Sequence, residues 1–264
     1  MKIVKQVLAI FLLAFISLSA SSAELVSLKT RPGVEQKFIL IKHKAPQASV
    51  ILFAGGKGAL NLTSTLGKPT IGWGKKNFLV RSRKIFAKNG LQVAVVDAPS
   101  DRQFERGLRD GFRNSPEHVA DIDHVIMYLR EQANVPVWLV GTSRGTESAT
   151  HIAINSKQKP DGLVLTSSMS VPNGTGTAVT EMDLKQVKMP VLIVAHSDDK
   201  CEVTPPQGAA DIAEKLMQAE KVEVKLFSGG KRPTSKPCKA MSKHGFIGIE
   251  KQVVNYISDF IKSN

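Results

Sequence analysis

Residues Trp138-Leu139-Val140-Gly141-Thr142-Ser143-Arg144-Gly145-Thr146 decide the fold. Pro136 to Val140 is a short apolar run suited to a buried strand. Thr146 to Ile154 continues with helix-compatible residues, among which Ala149, Ile152 and Ala153 are available for packing. Between them stands G-x-S-x-G. A serine in that setting sits on a cramped strand-to-helix turn with its hydroxyl raised above the sheet. Glycine at 141 and 145 leaves out the side chains that would crowd the turn. Ser143 is therefore a candidate nucleophile. An ordinary tight turn in a nucleotide-binding type of sheet could carry the same five residues, so the order of acid and histidine further along decides.

Outward from this stretch, strand and helix signals alternate, which predicts a mostly parallel central sheet with helices on both faces. Gln36 to Lys42, Ser49 to Phe53 and Gln92 to Val96 read as strands upstream. Phe78 to Lys88 is a helix stopped by Asn89-Gly90. Ser115-Pro116 opens another with a cap and an N1 proline, and Val119, Ile122, Val125, Ile126 and Leu129 form its apolar face. Downstream, Gly162 to Ser167, Val191 to Ala195 and Lys221 to Phe227 read as strands, and Gly208 to Gln218 and Phe246 to Ile261 as helices.

The ends and the composition set the context. Lys2 and Lys5, the apolar run Val7 to Ile16 and the small residues Ser21-Ser22-Ala23 have the form of a secretory signal peptide over 1–23. The run falls short of the roughly 20 residues a membrane span needs, although a retained N-terminal anchor is the alternative. A single domain over 24–264, exported to a periplasm or secreted and acting as a monomer, is the simplest expectation. Net charge is +13, or +11 without Lys2 and Lys5. The basic groups at Lys75-Lys76, Arg81 to Lys84, Arg102 to Arg113 and Lys225 to Lys239 are spread along the chain with no recognisable nucleic-acid module. They read as a solvated basic surface that favours attraction to anionic envelope surfaces or acidic substrates. Cys201 and Cys238, in an exported chain and outside any C-x-x-C pair, are expected to form one disulfide.

The G-x-S-x-G turn, the βα alternation and the later acid and histidine together resemble the α/β-hydrolase superfamily over nearly all of residues 24–264. That family has its triad in the chain order Ser, Asp or Glu, His. The resemblance implies Ser143 as nucleophile and His244, in Lys243-His244-Gly245-Phe246, as its base. The acid is Asp199 or Asp198, both following the strand at Val191. Asp199 is preferred because it lies nearer Cys201, with Asp198 left to cap the turn. The disulfide would then tie the acid loop to the histidine loop. Oxyanion donors would be the backbone N–H of Arg144 and one from Phe53-Ala54-Gly55-Gly56-Lys57-Gly58, either Gly56 or Lys57. This loop resembles the family's H-G-G-G element with Ala54 in the histidine's place. Only about twenty residues separate Ser167 from Val191, so little room is left for a lid.

Other residues carry weaker signals. His118, His124 and His151 fall on predicted helices, where a solvated or core-edge role is the default, whereas His196 could line the site. Asp97 reads as a structural turn residue, with a rim binding role as the alternative. Trp73 could line a groove or pack against the rim. The implied activity is hydrolysis of a carboxylic ester, with thioester or short peptide as variants, and no metal or organic cofactor. A non-catalytic binding protein on the same scaffold, holding an acidic ligand, is the competing reading.

Overall fold

A computed structural model describes residues 23–174 and 176–264; the leader expected over 1–23 lies, but for Ala23, outside them. The first elements are β1 (Ala23–Arg31), β2 (Val34–Ile41) and β3 (Ala48–Phe53). A small hairpin, β4 (Leu62–Thr65) and β5 (Lys68–Ile71), precedes α1 (Phe78–Lys88) and β6 (Leu91–Val96). Then come α2 (Pro116–Gln132), β7 (Val137–Ser143), α3 (Gly145–Asn155) and β8 (Gly162–Ser168). The chain closes with β9 (Val191–His196), α4 (Gly208–Lys215), β10 (Val222–Phe227) and α5 (Glu250–Ser263).

Eight strands form one sheet in the order β1-β2-β6-β3-β7-β8-β9-β10. The β1–β2 and β2–β6 pairs are antiparallel and the other five are parallel. The expected fold class is therefore present. The central strands are buried on both faces, as parallel strands covered by crossover helices must be. Strand alternation divides their side chains between two cores. Val50 and Leu52 of β3 pack with Phe78, Phe86, Val253 and Phe260 under α1 and α5. Ile51 and Phe53 pack with Ile122, Ile126, Ala149 and Ile152 under α2 and α3.

Three departures from expectation have physical reasons. The edge strand β1 and the hairpin β4–β5 carry no clear period-2 pattern, because most of their residues are only half-buried or exposed. The last helix starts at Glu250 rather than Phe246, since Phe246 (φ +56°) and Gly248 (φ +85°) hold left-handed backbone that no helix continues through. Helix α4 ends at Lys215, three residues before Gln218, because Leu216 leaves helical backbone (ψ +50°) and its N–H closes on the Ala213 carbonyl instead.

Candidate active site

The site begins with a backbone constraint at the end of β7. Ser143 has φ +53°, a left-handed conformation rare for a side chain with a Cβ. Two close approaches impose it. A Cβ on Gly145 would sit 2.1 Å from the Phe53 carbonyl oxygen, and one on Gly141 would sit 2.5 Å from that of Gly145. Both glycines let the first turn of α3 tuck against β3 and β7. Thr146 Oγ1 donates to the Ser143 carbonyl (2.6 Å) and accepts from Met169 N–H (3.1 Å), tying the turn to the segment after β8.

Ser143 and His244 line the same cavity of about 450 Å³, together with Gly55, Gly56, Trp73 and Thr142. His244 lies on a single 3₁₀ turn between the disulfide and α5. Its Nδ1 is 2.9 Å from Asp199 Oδ2, in a buried pair. Thr204 Oγ1 lies 3.0 Å from each of these two atoms. The other carboxylate oxygen, Oδ1, accepts the backbone N–H of Cys201 at 2.9 Å. Asp199, and not Asp198, is thus the carboxylate brought to the histidine; Asp198 is exposed and its backbone N–H donates to His196 Nδ1.

The histidine turn is itself held from below. Ser167 Oγ donates to the His244 carbonyl at 2.8 Å. Arg81, on α1, donates to the carbonyls of Gly245 and Ala240 and pairs with Glu250 at 2.9 Å. Gly245 passes so close to Ala240 that a Cβ would lie 2.0 Å from its carbonyl oxygen. Cys201 and Cys238 form a disulfide, 37 residues apart in the chain, joining the acid loop to this segment.

The glycine-rich loop after β3 reaches Ser143 from the other side. A Cβ on Gly55 would lie 2.9 Å from Ser143 Cβ, and one on Gly56 would lie 2.7 Å from the Trp73 ring. Gly56 also has φ +64°. Lys57 is not among the cavity's lining residues; its ammonium lies 5.5 Å from the Trp73 ring centre and its carbonyl accepts from Leu108 N–H. Where the resembled family has a histidine in this loop, Arg113 provides the support. It is only 1% exposed, and its guanidinium donates to the Ala54 and Gly56 carbonyls (3.2 Å each) and to Ser148 Oγ (2.7 Å). Burial pulls its pKa down to about 10, partly offset by attraction to the buried Glu147. The Asp97 carboxylate anchors the far end of the loop, accepting backbone N–H groups from Leu60, Asn61, Leu62 and Ala98.

These placements revise several expectations. Arg113 belongs to a basic group read as solvated, yet it is buried. His118 is fully buried rather than at a core edge, its Nε2 at 2.9 Å from Ser148 Oγ. Burial beside Arg113 pushes its pKa down to about 3, so it is neutral. His196 braces the acid loop, with Nε2 3.1 Å from the Gly229 carbonyl, and does not line the cavity. Asp97 is the structural turn residue, and Trp73 both lines the cavity and packs on Gly56. Sequence reasoning missed Arg81, Arg113, Ser167 and Thr204. Each reaches a partner far away in the chain, Thr204 linking its near neighbour Asp199 to the distant His244, so no local spacing announces it. Among the described residues no group of three or more His, Cys, Asp or Glu is arranged to hold a metal ion.

No protein-family model matches the sequence, and no curated protein sequence matches it. Solved structures do. A lidless α/β serine hydrolase from Xanthomonas campestris superposes with a TM-score of 0.56 at 14% identity, covering 90% of this chain and 94% of its own. An α/β serine hydrolase homologue from Coxiella burnetii gives 0.56 at 16% identity, covering 93% and 98%. An esterase from Pyrococcus furiosus gives 0.65 at 11% identity, covering 92% of each chain. At such identities it is the fold that is shared: the chain has the α/β-hydrolase fold.

Proposed function

We propose that the chain is a serine hydrolase cleaving a carboxylic ester through an acyl-enzyme. The observation that carries this is the meeting, in one cavity, of a serine on a left-handed strand-to-helix turn and a histidine whose Nδ1 is bonded to a buried aspartate. Nothing in ligand binding alone requires that combination.

In the proposed reaction Ser143 Oγ attacks the ester carbonyl carbon while its proton passes to His244 Nε2. Asp199 keeps the Nδ1 proton in place, so that Nε2 is free to accept, and stabilises the imidazolium that forms. The negative charge on the former carbonyl oxygen is met by the backbone N–H groups of Arg144 and Gly56, one at the head of α3 and one on the loop braced by Arg113. The N-terminal end of α3 adds favourable dipole potential there. Collapse expels the alcohol, which takes the proton from His244. Water then attacks the acyl-enzyme and gives its proton to His244, and collapse releases the acid while Ser143 Oγ takes that proton back from His244. Thioesters and short peptides would follow the same steps.

Export to an oxidising compartment is part of the same proposal. It rests on the leader-like N-terminus and on the Cys201–Cys238 disulfide. Among the described residues no helix is long and apolar enough to cross a membrane.

The test is a fluorophosphonate probe on the purified, oxidised protein, with the adduct located by mass spectrometry. Labelling at Ser143 that disappears in Ser143→Ala and falls sharply in His244→Ala is the expected result. A folded sample that neither labels nor cleaves any ester would leave a binding protein with an inherited constellation.

A further inference from the structure

The cavity around Ser143 and His244 is bounded by basic side chains and no carboxylate. Lys75 and Lys76 come from the turn before α1, Arg109 from the β6–α2 connection, and Lys239 from beside the disulfide. All four are exposed, and among the described residues none has an ion-pair partner. Some cations elsewhere on the molecule are paired, among them Arg31 with Asp101 and Asp121, Arg81 with Glu250, and Arg106 with Asp110. The chain has 23 acidic residues against 36 Lys and Arg. None of the acidic residues lines this cavity, and Asp110, next to Arg109, is already engaged by Arg106.

Uncompensated charge of one sign around a cleft with apolar walls concentrates its field in the cleft and raises the local concentration of oppositely charged solutes. Here the apolar walls are Trp73 and Phe78. A volume of about 450 Å³ suits a small-molecule ligand. The three segments that supply the cations are far apart in sequence, so the fold collects them.

Building on the hydrolase reading above, we propose that the substrate is an anionic ester. It carries a carboxylate or phosphate group in its acyl or alcohol part, held by Lys75, Lys76, Arg109 and Lys239 while its apolar portion lies on Trp73. Charge at the rim then selects the substrate and the residues around Ser143 act on it.

The experiment compares matched esters that differ in charge. One arm sets para-nitrophenyl hemiglutarate, whose acyl chain ends in a carboxylate, against neutral para-nitrophenyl valerate. The other sets the butyrate ester of hydroquinone monophosphate against phenyl butyrate, which separates an anion on the alcohol side from one on the acyl side. In at least one arm kcat/KM is expected to favour the anion by about tenfold or more at low salt. The advantage should shrink as ionic strength rises from about 0.01 M to about 1 M and the screening length falls from about 30 Å to about 3 Å. Lys75→Gln/Lys76→Gln, Arg109→Gln and Lys239→Gln should each lower the anionic-to-neutral ratio. Lys185→Gln/Lys188→Gln, which removes two exposed charges that line a separate surface depression, should leave it unchanged. Equal or better cleavage of the neutral esters, with a ratio that none of the rim variants moves, overturns the inference while the hydrolase stands. Absence of both ester cleavage and Ser143 labelling removes the hydrolase reading and this inference together.

Discussion

At Ser143 a backbone φ of +53° is maintained at a cost of about 1–3 kcal/mol, which the packing of Gly141 and Gly145 against β3 and β7 must offset. In the proposed reaction a strained serine needs a base and an orienting acid, and Asp198 and Asp199 differ sharply in their fit to the latter role. Adjacent residues after β9 diverge: Asp198 faces solvent while Asp199 is fixed by Cys201 N–H, Thr204 and His244. Asp199→Asn should therefore lower kcat on an ester by roughly 10³–10⁴, as expected for loss of the correct imidazole tautomer. Asp198→Asn should change it by less than about threefold, since it removes one exposed charge. Steady-state kinetics on both variants checks this.

His118 makes a separate prediction about stability. Its pKa is about 3 in the fold and 6.5 when exposed, so below pH 6.5 the unfolded chain binds a proton that the folded chain refuses. Stability on this account is intact above pH 6.5 and is lost progressively as pH falls toward 3. Its slope is about 1.4 kcal/mol per pH unit. In His118→Gln, which can still bond Ser148, that contribution disappears. Urea unfolding at several values of acidic pH should show the wild type losing stability faster than the variant by about this slope.

At the scale of elements, the site is where loops leaving the carboxyl ends of the parallel strands β3, β7, β9 and β10 are braced against one another. The β3 loop is held through its carbonyls by Arg113 and through its N–H groups by Asp97. The histidine turn is held by Arg81 and Ser167, and the acid loop by the disulfide and His196. Cys201 both bears the disulfide and donates its N–H to Asp199, so the crosslink acts directly on the acid's position. Reduction should impair turnover at temperatures where far-UV circular dichroism still reports a folded protein. Full activity after verified reduction would count against this role. Cys201→Ser/Cys238→Ser should also lower stability by about 4 kcal/mol, for a loop of 37 residues.

At the scale of the whole molecule, the sheet order β1-β2-β6-β3-β7-β8-β9-β10 sets its four strands from the first half of the chain beside the four from the second, joined at the central, buried β3–β7 pair. No large part can leave without unpairing the centre, which supports one cooperative unit. The two tryptophans test this from different places. Trp73 stands at the cavity rim, 38% exposed, whereas Trp138 is 1% exposed and packs edge-on against Phe260 of α5. Urea transitions of Trp73→Phe and Trp138→Phe variants, each reporting one remaining tryptophan, should coincide with the loss of circular dichroism. Separate midpoints within one variant would show that the rim unfolds apart from the core.

Much of this was legible in the sequence because it is locally encoded. Buried parallel strands must be apolar runs, helices must show a 3.6-residue face, and a turn as tight as the one at Ser143 demands glycine on both sides. These constraints act between neighbours, so the strand β7, the helix α3, the α/β class and the candidate serine can be read from local pattern, and the resemblance they establish then points to the candidate histidine. What only the tertiary structure decided depends on groups far apart in the chain. Asp198 and Asp199 differ by the direction of one residue, which is set by Thr204, His244 and the disulfide. Arg113 is indistinguishable in sequence from its solvated neighbours until the β3 loop carbonyls converge on it. The half-buried β1 and the β4–β5 hairpin owe their form to pairing rather than to pattern. Likewise the ring of cations around the cavity exists only once three distant segments meet, because charge acts across space and not along the chain.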